Sequence, residues 1–174
     1  IAQSGGKQAQ TAKLITDDSS IKLVLALGDL AYETGTDQDF ADRYHPTWGK
    51  FKTMTKPTPG NHEYKSGADG YFRYWDNIAP YYSFDMNGWH FISLNSEIAR
   101  TDTSTQVNWL KDDLSKNTAR CTLAYWHKPR FSSGDHTDDS SVKPFFDALY
   151  DANADLILTG HSHIYEKYAP SNGN

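Results

Sequence analysis

The chain has 174 residues, 37% of them hydrophobic and 14% aromatic, which is enough for the core of one globular domain over residues 1–174 and too apolar for a disordered segment. A formal net charge of −5, with no run of Lys or Arg, argues against a nucleic-acid or anionic-membrane surface as the main partner, and no stretch reaches the roughly 18 apolar residues of a membrane span. Cys121 is the single cysteine, so an intrachain disulfide and a cysteine-based zinc site are both excluded.

In chain order, Gln8 to Ile15 predicts a helix that turns Ala9, Ala12, Leu14 and Ile15 inward. The preceding Ser4-Gly5-Gly6-Lys7 is not a phosphate-binding loop: the first Gly of that motif is missing, and Gln8 stands where Ser or Thr should follow the Lys. Ile21 to Leu27 is nearly continuous in apolar residues, as buried parallel strands are, and it runs straight into Gly28-Asp29. In open α/β sheets the functional crevice lies beyond the carboxyl ends of the strands, so Asp29 stands where chemistry is expected. Gln38 to Met54 carries Phe40, Tyr44, Trp48 and Phe51 at helical intervals, an aromatic core face, and His45 within it reads as a solvated or capping residue.

Lys56 to Pro59 is a short extended piece followed by Gly60-Asn61-His62-Glu63, where a carboxamide oxygen beside a histidine suits a hard or borderline divalent ion. A short aromatic helix is expected through Tyr71, Phe72, Tyr74 and Trp75. Tyr81 to Met86 and Trp89 to Leu94 flank Asn87-Gly88, the signature of a hairpin with a type I′ turn. His90 falls in mid-strand, far from the carboxyl end, and is assigned no role. Thr103 to Lys116 is amphipathic, with Val107, Leu110 and Leu114 on one stripe.

Cys121 to Trp126 is the next buried strand, its cysteine a buried structural thiol, and it ends in His127-Lys128-Pro129, where the proline forces the chain out of the sheet. The loop Ser132 to Asp139 is polar and expected to be mobile. Val142 to Tyr150 is a helix, and Leu156 to Thr159 a last strand. It ends in Gly160-His161-Ser162-His163, two histidines whose i, i+2 spacing would point both rings to one side. Residues 164–174 form an exit segment.

This order indicates α/β layering with a mixed sheet. Asp29, Asn61, His127, His161 and His163 all follow predicted strands. Their convergence describes a cluster of oxygen and nitrogen donors able to hold two metal ions, with Asp29 able to bridge them. No Gly-x-Ser-x-Gly elbow and no Ser-His-Asp set is present, so a protein nucleophile is not indicated.

Gly28-Asp29, Gly60-Asn61-His62-Glu63, His127-Lys128-Pro129 and Gly160-His161-Ser162-His163 resemble, in order, the motifs of the calcineurin-like metallophosphoesterases. Tyr32, three residues after Asp29, and the run Gly160 to Lys167 resemble the purple acid phosphatase branch in particular. The resemblance implies a layered sandwich of two mixed β-sheets flanked by α-helices, and hydrolysis of a small phosphate ester, a monoester in the purple branch, by water or hydroxide at a dinuclear metal centre. The ions implied are iron paired with zinc, manganese or iron, and relatives are secreted or periplasmic.

By motif, Asp29 would bridge the ions, with Tyr32 and His163 on one and Asn61, His127 and His161 on the other, while a Tyr32 phenolate would favour Fe(III). His62 would bind the phosphate or protonate the leaving alkoxide, and His136, nine residues beyond His127, resembles a substrate-side histidine. A further Asp that the family carries in an Asp-x-His or Asp-x-Gly motif at the end of its first strand is absent, and strands are missing at both ends. Weaker holding of the Tyr32–His163 ion is therefore expected, as is either self-association through exposed sheet edges or membership of a longer protein. A phosphodiesterase, a degenerate metal-binding domain with little activity, and a structural domain with incidental histidines stay open.

Overall fold

The computed structural model describes residues 1–170, so the end of the expected exit segment, residues 171–174, lies outside the described residues. Two β-sheets lie between helices. The first pairs β1 (Val24–Leu27) with β2 (Thr55–Thr58) in parallel. The second is mixed, in the order β3-β4-β5-β6. β3 (Tyr82–Met86) and β4 (Trp89–Ser93) run antiparallel, while β5 (Cys121–Trp126) and β6 (Leu156–Thr159) run parallel to β4. Asn87 and Gly88 take φ values of 52° and 81°, the two left-handed residues that a type I′ hairpin turn requires.

Strand alternation sets the layers. Phe91, Leu123 and Tyr125 face the first sheet and pack with Leu23, Leu25 and Leu27, whereas Ile92, Ala124 and Trp126 point the other way. On that far side they bury Val107 and Leu110 of α5 (Thr105–Lys116) and Phe145, Ala148 and Leu149 of α6 (Lys143–Asp151). Each such large apolar side chain contributes about 1.5–3 kcal/mol on burial. Over the first sheet lie α1 (Gln8–Thr16) and the one-turn helix α2 (Asp37–Asp39). A π-helical turn (Phe40–Tyr44), a 3₁₀ segment (Trp48–Met54) and α4 (Asp69–Tyr74) complete that layer, with α3 (Asn61–Tyr64) after β2. Among the described residues, no helix is long and apolar enough to cross a membrane.

Several expectations need correction. The long helix over Gln38 to Met54 is broken into three pieces. Pro46 supplies no N–H to a continuing ladder, and the aromatics keep their inward face only because the chain changes helix type on either side of it. Ala12 alone is fully buried on α1, while Ala9 is exposed and Leu14 is 72% exposed. Cys121 heads β5 half-buried rather than buried. In the Ser132–Asp139 loop, Ser132 Oγ lies 2.8 Å from Ser162 Oγ and the Ser133 N–H donates to Glu166.

Candidate metal centre

Because β1 and β2 are parallel, and β4, β5 and β6 are parallel, the connections leaving their carboxyl ends converge on one rim of the sandwich. His127 is at the centre. Its Nδ1–H donates to the Leu27 carbonyl at 2.8 Å, which fixes the ring's orientation and turns Nε2 inward. Around that nitrogen stand Asn61 Oδ1 at 3.0 Å, His161 Nδ1 at 3.1 Å and Asp29 Oδ2 at 3.2 Å. Asp29, His127 and His161 form the one group of three or more His, Cys, Asp or Glu among the described residues whose ligand atoms lie within 4.8 Å of one another.

A second set abuts the first through the same carboxylate oxygen. Tyr32 Oη is 3.2 Å from Asp29 Oδ2 and 3.3 Å from His163 Nε2. All six predicted ligands are thus brought together, with Asp29 between the two sets. The histidines of the last motif reach it differently from expectation: β6 ends at Thr159, and His161 takes φ 67° in the bend that follows, so His161 faces His127 while His163 faces Tyr32. Asn61 likewise opens the turn of α3 rather than ending a strand. Asp29 itself has φ 50°, a left-handed conformation uncommon outside glycine and held here by its surroundings.

Close approach explains two glycines. A Cβ on Gly28 would lie 2.5 Å from His127 Nδ1, and one on Gly60 would collide with the Asp29 carboxylate.

Electrostatics follow from the crowding. Burial opposes ionisation of Asp29, but its hydrogen bond to His127, the charge of that ring and the His62 N–H outweigh burial and hold the carboxyl well below its usual range. Burial would lower His127, yet Asp29 raises it; His161 is pulled down to about 4 by burial, with the charges of His127 and His136 acting the same way. Burial, then the neighbouring Asp29, pushes the Tyr32 phenol up. A carboxylate, a carboxamide and a histidine with its outer nitrogen engaged form a donor set that suits a borderline divalent ion, so the residues fit a metal.

The two predicted substrate-side histidines flank the cluster. The His62 ring lies 4.2 Å from the Tyr32 ring, its Nδ1 2.7 Å from the Glu33 carbonyl oxygen. His136 stacks on His161 with ring centres 4.1 Å apart and lines a cavity of about 300 Å³ with Lys128, Asp135, Thr137, Asp139 and His161.

The sequence profile of the calcineurin-like phosphoesterases matches residues 5–165. The chain belongs to that family. Within it, the chain is 29% identical to purple acid phosphatase 15 of Arabidopsis thaliana, a match that covers 86% of this chain and 36% of that protein. It is 30% identical to acid phosphatase type 7 of Homo sapiens, covering 89% of this chain and 42% of that protein. The chain therefore spans well under half the length of these curated relatives. Two solved structures share the fold at 18% identity. One is a purple acid phosphatase from yellow lupin seeds, with a TM-score of 0.68, covering 90% of this chain and 33% of that one. The other is GAP50, the anchor in the inner membrane complex of Plasmodium, with a TM-score of 0.67, covering 89% and 61%. This calcineurin-like phosphoesterase thus carries the expected layered α/β fold.

Two residues of weight had no role in the sequence reading. Glu63 belongs to a quoted motif, and its place three residues after Gly60, at the third position of a helix, was the available signal of a backbone-binding carboxylate. His90 bridges Asp85, at 2.6 Å, and Asp113, at 2.8 Å, on the α5 side of the second sheet, outside the metal centre.

Proposed function

We propose that this chain is the metal-binding catalytic part of an acid-phosphatase-like enzyme that hydrolyses small phosphate monoesters. The observation that carries the reading is the convergence of Asp29, Asn61 and His161 on His127 Nε2 at 3.0–3.2 Å, with Tyr32 and His163 joined to the same Asp29 oxygen. Asp29, Asn61, His127 and His161 would hold one ion and Asp29, Tyr32 and His163 a second, iron paired with zinc, manganese or iron. Such ions, when bound, supply the positive charge that this acidic chain otherwise lacks for a phosphate and make water more acidic.

The chain's own groups do the rest. The His62 backbone N–H donates to Asp29 Oδ1 at 2.9 Å, which fixes its main chain, and its Nδ1–H donates to the Glu33 carbonyl at 2.7 Å, which holds the ring beside the cluster. From there it reaches a phosphoryl oxygen or gives the leaving alkoxide its proton as the P–O bond breaks. His136 and Lys128 line the adjoining cavity, where a phosphate would meet donors rather than carboxylates alone.

The two ion sites are unequal in this reading. The His127 side offers four donors, Asp29, Asn61, His127 and His161, against Asp29, Tyr32 and His163 on the other, so the ion on Tyr32 and His163 is held more weakly. A metal-binding domain with little turnover is the second reading, favoured by that imbalance. β6 and β3 each have a single neighbouring strand among the described residues, and self-association through these edges is part of the same proposal, to be checked by sedimentation. Metal analysis of protein purified without chelator, together with turnover of p-nitrophenyl phosphate against its bis-ester, tests the main reading. Bound metal without turnover favours the second reading, faster cleavage of the bis-ester indicates a phosphodiesterase, and absence of metal defeats both metal-based readings.

A further inference from the structure

The Gly28–Tyr32 connection and the start of α3 hold each other by an exchange of carboxylates. Asp29, on the first, accepts the His62 N–H of the second through Oδ1 at 2.9 Å. Glu63, on the second, reaches back: its Oε1 accepts the N–H groups of Leu30 at 2.8 Å and Ala31 at 3.1 Å, and its Oε2 accepts that of Gly60 at 2.8 Å. Glu63 is fully buried and is not a member of the Asp29, His127 and His161 cluster. Gly35 packs so closely against it that a Cβ there would lie 2.6 Å from Glu63 Cα, which leaves the glutamate little freedom to shift. The residues it grips are the neighbours of Asp29 on one side and of Asn61 on the other, one ligand from each connection.

We propose that Glu63 is a positioning residue that sets the distance between Asp29 and Asn61, and so the geometry in which both meet His127. The proposal rests on the phosphoesterase reading for its consequence in catalysis, but its geometry stands on the protein alone. Three N–H donors against two acceptor oxygens need a carboxylate. A glutamine offers one oxygen and one NH₂, so it keeps the bonds to Leu30 and Ala31 only by turning a donor toward the Gly60 N–H.

Amide hydrogen exchange on metal-free wild-type protein and on Glu63→Gln tests the clasp. In the wild type, Leu30, Ala31 and Gly60 exchange slowly, and in the variant Gly60 alone loses at least about tenfold of its protection while the far-ultraviolet spectrum is unchanged. Fast exchange of the three amides in the wild type, or an unaltered Gly60 in the folded variant, overturns the proposal; should the variant not fold, the wild-type rates decide.

Cobalt(II) titration then reads the ligand geometry. Glu63→Gln binds cobalt about 10–100-fold more weakly with an altered visible band, and on p-nitrophenyl phosphate kcat falls while KM stays within about twofold. Wild-type cobalt affinity and spectrum in the folded variant defeat the positioning role. A wild-type protein that binds no cobalt defeats the phosphoesterase reading instead, and Glu63 is then judged on exchange alone.

Discussion

Two histidine–aspartate clusters stand on the second sheet, and they differ in what each imidazole has left to offer. At the rim, one nitrogen of His127 is spent on the Leu27 carbonyl and the other faces three further donors. In mid-sheet, both nitrogens of His90 are spent on carboxylates, and Ser83 Oγ adds a 2.7 Å bond to Asp113 Oδ1. A ring with both nitrogens engaged by anions is an ion-pair strut; a ring with one engaged by a neutral carbonyl is a ligand in waiting. The contrast shows why residue type alone does not mark a site. Partner identity at the second nitrogen does.

The largest expected break comes from the rim. His127→Ala removes the atom on which Asn61, Asp29 and His161 converge, so metal content and phosphate-ester turnover fall together, the latter roughly 10³-fold, measured by elemental analysis and p-nitrophenyl phosphate assay. Retained metal stoichiometry would show that the cluster is not the binding site. Removing the imidazole at the strut, by His90→Leu, leaves metal affinity unchanged but lowers stability by about 1–3 kcal/mol in urea unfolding, because Asp113, 16% exposed, keeps Ser83 but loses its cationic partner.

The strut can also be weakened without mutation. Burial would lower His90, but the hydrogen bonds and charges of Asp113 and Asp85 outweigh it and raise it above its ordinary value of 6.5. The folded state therefore binds its proton more tightly than the unfolded chain. The contribution to stability is complete below about 6.5 and is lost as pH rises through the raised folded value. Urea midpoints of wild type and His90→Gln against pH should converge toward the alkaline side; parallel curves would rule this out.

The smallest effect separates the strut's two carboxylates. Asp85, 74% exposed, is the dispensable one, and Asp85→Asn costs about 0.2–1 kcal/mol, less than Asp113→Asn by the same unfolding measurement.

The rim was largely legible in the sequence because each of its residues sits directly after an apolar run or one short turn beyond it, a local signal. Asp29 follows Leu27, and His127 follows Trp126. The hairpin was legible for the same reason, since Asn87-Gly88 encodes its own turn. The strut was not, because Asp113 is 23 residues from His90 and meets it only when α5 docks on the sheet. Leu14 misled because it continues the apolar pattern between Ala12 and Ile15, the two residues that pack with Val24 and Phe51, but itself projects into solvent. Spacing likewise favoured one helix across Pro46, where backbone hydrogen bonding forbids it.

Among the described residues β6 is an edge strand of four residues, and it is the one that delivers His161 and His163. Edge elements open locally at lower free energy than the interior strands beside them. Asp29 and Tyr32 are anchored from β1, Asn61 from β2 and His127 from β5, so a transient peeling of β6 would strip two ligands from the rim and leave four in place. An ion clasped between the two groups would act as a latch on that strand, and the exchange rates of the β6 amides would then depend on metal concentration while those of β5 would not.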